Sequence, residues 1–158
     1  MPEAYRIVKA KYAGGAFDGE GARMQGGRWS SIGNRIVYTA GSLSLAVLEI
    51  LVHLQNTETL SAYVVIRVEF PDNVVDDLDP VLLPTNWRVS PAPAGTMEIG
   101  DCWVRESRSA ILRVPSVIVP SEHNFLINPV HQDFSRITIG DPTPLDVDSR
   151  VFRKATGA

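Results

Sequence analysis

From Ser42 to Leu54 the chain carries an almost wholly apolar segment, SLSLAVLEILVHL, whose length and composition suit a helix. Ser42 supplies an N-cap hydroxyl directly after Gly41. Ser42, Ala46, Glu49 and His53 fall at i, i+4, i+7 and i+11, so they share one narrow stripe. Apart from Ser44, the other positions are Leu, Val or Ile. A helix this apolar is expected to be largely buried, and the rest of the chain must pack around it. Its one carboxylate, Glu49, is either the water-facing edge of the helix or the polar centre of a site.

The flanking segments place other polar groups near this helix. Arg35–Ala40 (RIVYTA), between Gly33 and Gly41, carries the β-branched and aromatic residues of a strand and includes Tyr38. Ahead of it, Gly14–Gly27 (GGAFDGEGARMQGG) is rich in glycine and lacks periodicity, which predicts a flexible loop. It fits neither a Walker loop nor a dinucleotide fingerprint, so it reads as connection or as ligand cradle. Arg28 follows it immediately. Ala4–Val8 (AYRIV) predicts a short first strand, in which Arg6 is equally a solvated side chain or a phosphate ligand.

Downstream, Ser61–Phe70 alternates, with Ala62, Val64, Ile66, Val68 and Phe70 on one face and Tyr63, Arg67 and Glu69 on the other. Pro71–Pro93 predicts irregular surface anchored by Trp87. Thr96–Glu106 predicts a second helix with Ile99 and Trp103 stacked. Ala110–Val119 predicts a double strand broken at Pro115, with Ser116 at the bend either re-aimed for function or simply polar. A strand over Arg136–Ile139 and a last short one at Val151 and Phe152 complete the reading.

Composition narrows the function classes. A length of 158 residues suits one domain, and 44% hydrophobic with 21% charged residues is ordinary for a globular protein. A net charge of −3 argues against nucleic-acid binding by bulk electrostatics. The single cysteine, Cys102, excludes an internal disulfide and reads as a small core residue. The start, MPEAYRIVKAKY, lacks a secretory pattern, and the longest apolar run is too short to span a bilayer, so a cytoplasmic, membrane-free protein is expected. His53, His123 and His131 show no metal spacing, and Ser116 lacks a hydrolase elbow.

Glu49, Arg28 and Tyr38 are sufficient for one reaction class. Most glycosidases need two carboxylates, because the leaving alkoxide must be protonated. Nicotinamide leaves NAD+ as a neutral molecule and needs no such acid. One carboxylate can stabilise the ribosyl cation, while an arginine grips pyrophosphate and a tyrosine ring faces nicotinamide. The trio alone does not discriminate, since most globular proteins contain one.

Two longer signatures do discriminate. Gly26-Gly27-Arg28-Trp29, Gly33, VYTA at 37–40, Ser42, Ala46 and Leu48-Glu49 form the first. LRVPS at 112–116, Glu122, Asn124, Asn128-Pro129, His131 and Asp133-Phe134 form the second. In order and spacing they resemble the RES-domain family, over roughly Ala4–Phe152. The resemblance implies an α+β single domain spanning 1–158 (core about 4–153). It would be ADP-ribosyltransferase-like, with twisted, mostly antiparallel sheets and a few flanking helices. It also implies a bacterial toxin that consumes NAD+ by hydrolysis or phosphorolysis, without a cofactor and with inorganic phosphate as a candidate co-substrate; ADP-ribosyl transfer to a protein is the alternative, and a non-catalytic binding module a further one. The implied partner is an Xre-type antitoxin that covers the active-site cleft and itself binds DNA.

Carried over by motif, Glu49, Arg28, Tyr38 and Ser116 are the implied catalytic residues. Gly27, Arg6, Asn124, Asn128 and His131 join Arg28 and Tyr38 as candidate substrate contacts, with a fold-lining role for Asn128 equally open. Two departures, Ser30 where the family commonly has asparagine and Gln132 where proline is common, are expected to lie outside the chemistry.

Overall fold

The computed structural model describes residues 1–54 and 60–151. Its frame is β1 (Glu3–Lys9), β2 (Val37–Ala40), β3 (Tyr63–Glu69), β4 (Val75–Asp77), β5 (Ile111–Pro115), β6 (His123–Ile127), β7 (Thr138–Ile139) and β8 (Thr143–Pro144). They form one sheet in the order β4-β5-β6-β2-β1-β3-β7, with β8 also on β3. All pairings are antiparallel except β4 with β5. The expected α+β architecture is therefore present, built on a single mixed sheet. β1 pairs with β3 along its full length, whereas its register with β2 is one pair, Tyr5 opposite Ala40.

Side-chain alternation sends the strands' residues to two cores. One face gathers Ala4, Val37, Val68, Phe70, Ile111, Phe125 and Ile127, with the Phe70 and Phe125 rings edge-to-face at 5.3 Å. The other face carries Leu112, Val114, Leu126 and Ile36, packed against Trp29 and Trp103. Farther along that face, Ala40 packs with Leu45 and Ala46.

Two helices cover this second face. The first of them, α2 (Leu43–His53), follows α1 (Glu20–Gln25) in the chain; the second is α3 (Ala94–Glu106). α2 is capped as expected, the Leu45 N–H donating to Ser42 Oγ at 3.1 Å. It is less buried than its composition predicts: Leu45, Ala46 and Val47 are buried, but Leu48 is 40% and Val52 64% exposed. One side alone meets the sheet. None of the described helices is long and apolar enough to cross a membrane.

Other expectations are corrected. The glycine-rich 14–27 segment contains α1, because Glu20, Ala22, Arg23, Met24 and Gln25 are sound helix formers and Glu20 bonds Arg23 one turn on. Gly19 enters it at φ 74°. Pro71–Pro93 includes β4, held beside β5 by the buried Val74 and the Arg113–Asp77 ion pair. On β3 the alternation holds from Ile66 to Phe70, but Tyr63 and Val65 are also buried, both faces of the sheet being covered there. β5 stops at Pro115 instead of continuing to Val119. The strand expected over Arg136–Ile139 shrinks to β7 behind a 3₁₀ turn over Gln132–Arg136. Val151 sits in a helical turn, and Phe152 lies outside the described residues.

Candidate active site

Glu49 is positioned by the β2–β6 pair. Gly41 donates its N–H to the His123 carbonyl, and a Cβ there would meet that oxygen at 3.0 Å, so the chain passes tightly against β6 before α2 begins. The Ser42 hydroxyl donates to Glu122 Oε1 at 3.2 Å. About two helical turns on, Glu49 Oε1 accepts from Asn124 Nδ2 at 2.6 Å. The same nitrogen donates to the Thr39 carbonyl at 3.1 Å, so the amide is fixed from both sides. Burial against helix and sheet pushes the Glu49 carboxyl from 4.5 up to about 7, the Asn124 hydrogen bond only partly opposing it. Near neutral pH both forms of the acid are populated.

Tyr38 shares that face of the sheet. Asn124 lies opposite Ala40 and Leu126 opposite Tyr38, which makes Tyr38 and Asn124 diagonal neighbours, roughly 7–8 Å apart at the backbone. The phenol oxygen accepts from the Trp29 N–H at 3.1 Å and exchanges a 2.7 Å hydrogen bond with Ser30 Oγ. Burial chiefly, with a smaller push from the Asp101 charge, raises its pKa and keeps it a neutral phenol. Ser30, expected to lie outside the chemistry, is thus a direct partner of the candidate tyrosine. Gly27 is needed sterically, since a Cβ there would sit 2.5 Å from the Tyr38 hydroxyl.

Arg28 emerges from the same turn. Its Nη1 donates to the Trp87 and Val89 carbonyls, each at 2.8 Å, and the Trp29 and Trp87 rings stand 6.3 Å apart. The guanidinium therefore ties down the segment around residue 88 while leaving other N–H groups for a ligand. Partial burial lowers its pKa, with Tyr38 countering.

The remaining candidates divide. Asn124 belongs to the Glu49 centre. Arg6 reaches Tyr38 through its backbone, Nη1 donating to the Tyr38 carbonyl at 2.9 Å, yet its register with Ile66 puts it on the opposite face of the sheet. Its Nε is buried without a partner, where β1 and β2 cease to pair. Ser116 is fully buried, and its Oγ accepts from the Ile118 and Val119 N–H groups at 3.1 and 3.2 Å. It caps its own turn, which is a structural use of the hydroxyl.

Asn128 and His131 are not brought to the Glu49 centre. They follow the far end of β6 from Asn124, on the order of 13 Å away along the strand. Asn128 Oδ1 accepts from the Val130 N–H, while His131 Nδ1 accepts from the Asp133 N–H. His131 Nε2 consequently carries the proton and donates to the Ser107 carbonyl at 3.1 Å. Both side chains shape the turn after β6.

Asp101 was missed by sequence reading. It is 8% exposed and takes hydrogen bonds from Ser31 and Asn34, in the segment that carries Arg28. The available signal was its place on α3 beside the buried stripe of Thr96, Gly100 and Trp103. An open depression of about 410 Å³ is lined by Glu3, Gly41, Glu122 and His123 among others, and its lining includes none of Arg28, Tyr38 or Glu49.

Known proteins resemble this chain along nearly its whole length. Residues 3–148 match the RES domain family. A Yersinia enterocolitica protein named Toxin Res is 46% identical over 130 residues, covering 82% of this chain and 86% of that protein. A Photorhabdus laumondii Toxin Res is 42% identical over 151 residues, covering 94% and 96%. A Sphingobium protein named Prs ADP-ribosylating toxin is 39% identical over 147 residues, covering 91% of each. Among solved structures, a chain from the crystal structure of the M. tuberculosis MbcT–MbcA toxin–antitoxin complex superposes with a TM-score of 0.75 at 20% identity, covering 99% of this chain and 90% of that one. The two sequence signatures, the α+β fold and these matches lead to one statement: the chain is a member of the RES-domain family.

Proposed function

We propose that this protein is the toxin of a toxin–antitoxin pair and cleaves the nicotinamide–ribose bond of NAD+. The observation that carries the proposal is Glu49, a half-buried carboxylate with its pKa pushed up to about 7, held by Asn124 on the sheet face that also bears Tyr38. In the reaction the C1′–N bond breaks with its electron pair going to the pyridinium nitrogen, and nicotinamide leaves neutral. The ribosyl cation is stabilised by the Glu49 carboxylate at the short range its fixed orientation allows. A bound pyridinium cation itself favours the ionised acid. Water then attacks C1′ and loses a proton to Glu49, giving ADP-ribose; with phosphate as acceptor the product is ADP-ribose 1″-phosphate. The free N–H groups of Arg28 bind the pyrophosphate, and the ring of Tyr38 packs near nicotinamide. No cofactor is required.

A protein side chain as acceptor is the second reading. It is favoured by the Sphingobium relative, whose name describes ADP-ribosylation. The partner, by analogy with the MbcT–MbcA complex, is an antitoxin, and we take it to be of the Xre type, covering the Glu49 cleft and carrying the DNA-binding function. Nicotinamide release from NAD+ by the purified chain, with and without inorganic phosphate, separates the readings. Release in buffer alone indicates hydrolysis, and a phosphate requirement indicates phosphorolysis. Release that needs an added protein replaces both with ADP-ribosyl transfer.

A further inference from the structure

The segment that presents Arg28 is held from behind by α3. The backbones meet there: a Cβ on Gly100 would lie 1.7 Å from the Trp29 carbonyl oxygen. The next residue, Asp101, is 8% exposed and receives three hydrogen bonds from this one segment. Its Oδ1 accepts from the Ser31 N–H at 3.0 Å and from Asn34 Nδ2 at 2.7 Å, and its Oδ2 accepts from the Ser31 hydroxyl. The three donors are neutral, so the carboxylate is stabilised by fixed dipoles that all belong to residues 31–34.

On its other side the segment makes the contacts of the site. Gly27 and the Trp29 N–H lie against the Tyr38 hydroxyl, Ser30 Oγ bonds it, and Arg28 clasps the Trp87 and Val89 carbonyls. The stretch from Gly27 to Asn34 thus has the ligand-facing groups at its start and the Asp101 anchor at its end. We infer that Asp101 is a positioning residue: by fixing Ser31 and Asn34 it sets where Arg28 stands for the ligand. The inference rests on the reading of Arg28 and Tyr38 as ligand-binding groups, and it predicts that Asp101 acts through Arg28.

The experiment compares Asp101→Ala, Asp101→Asn, Arg28→Ala and the Asp101→Ala/Arg28→Ala double variant. Two readouts are taken: near-ultraviolet circular dichroism of the Trp29–Trp87 pair without ligand, and the kinetics of nicotinamide release from NAD+. Asp101→Ala is expected to lose the tryptophan signal and to raise KM about ten-fold with kcat changed less than about three-fold. Asp101→Asn retains both, because the Ser31 hydroxyl can turn to accept from the new amide. The double variant is no worse than Arg28→Ala alone. An unchanged tryptophan signal with unchanged KM in Asp101→Ala, or penalties that simply add, overturns the inference. If the wild type releases no nicotinamide, the functional reading fails instead, and the tryptophan signal alone decides for or against Asp101. Should Asp101→Ala not fold, Ser31→Ala/Asn34→Ala removes the same bonds from the other side and is held to the same outcomes.

Discussion

The Asn124 side-chain amide donates to the Glu49 carboxylate at 2.6 Å while the same nitrogen donates to the Thr39 carbonyl at 3.1 Å. A strand residue thereby fixes the orientation of a helix carboxylate that burial has driven toward neutrality. The carboxyl is pushed from 4.5 up to about 7 by loss of water, and Asn124 is the group that favours its ionised form. That balance makes the acid's protonation, and with it the proposed activity, sensitive to pH near neutrality.

For an acid with a raised folded pKa, the folded state holds its proton more tightly than the unfolded chain does. This contribution to stability is therefore fully present below about 4.5 and is lost as pH rises through about 7. Glu49→Gln is expected to remove that dependence and to be more stable than wild type at pH 8 by about 2–3 kcal/mol. Urea melts of both proteins between pH 5 and 8 measure it. Parallel curves for the two proteins would show that Glu49 is not desolvated.

Removing the amide should act in the opposite sense on catalysis. Asn124→Ala takes away the group that favours the carboxylate, so the rising limb of the pH profile of kcat/KM is expected to move above its wild-type position near 7. The profile of nicotinamide release from pH 5 to 9 tests this, and an unshifted limb contradicts it.

The two glycines around the Arg28 segment should differ in severity. Gly27→Ala drives a methyl to 2.5 Å from a phenol oxygen, and an expected cost of about 1–3 kcal/mol comes with displacement of the Tyr38 ring. Gly100→Ala meets a backbone carbonyl at 1.7 Å, where no side chain can turn away, and should cost about 3 kcal/mol or more. Thermal denaturation ranks them, and the reverse ranking would dispute the packing described.

Tyr38→Phe keeps the ring and loses the hydroxyl's bonds to Trp29 and Ser30. Because the Trp29 N–H is left without that acceptor, a loss of about 1–2 kcal/mol of stability is expected. KM should rise far less than in Tyr38→Ala, since the face offered to nicotinamide is unchanged. Equal effects of the two substitutions would assign the hydroxyl, and not the ring, to the ligand.

How much of this was readable from the residues depends on how local the cause is. The capped helix after Ser42 and the Ile66–Phe70 alternation follow from spacing along a few turns or strand residues, and both are present. α1 was missed because its helix formers stand in a glycine-rich run, and β4 because its support comes from β5. Within the site, the two signatures name Glu49, Tyr38 and Asn124, which share one face of the sheet, Arg28 in the turn against Tyr38, and also Ser116, Asn128 and His131. Those three use their side chains on nearby backbone, a role that looks the same as catalysis in a linear motif. Asp101 stayed hidden because its partners, Ser31 and Asn34, lie about 70 positions earlier in the chain.

The most direct measurement is nicotinamide release from NAD+ by the wild-type chain and by Glu49→Gln, with phosphate present and absent and no other protein added. The account predicts turnover by the wild type and a loss of about 10²–10³-fold in kcat for the variant, the size expected when one aimed electrostatic group is removed. Wild-type protein that releases no nicotinamide, or a Glu49→Gln variant that turns over as fast, would contradict it.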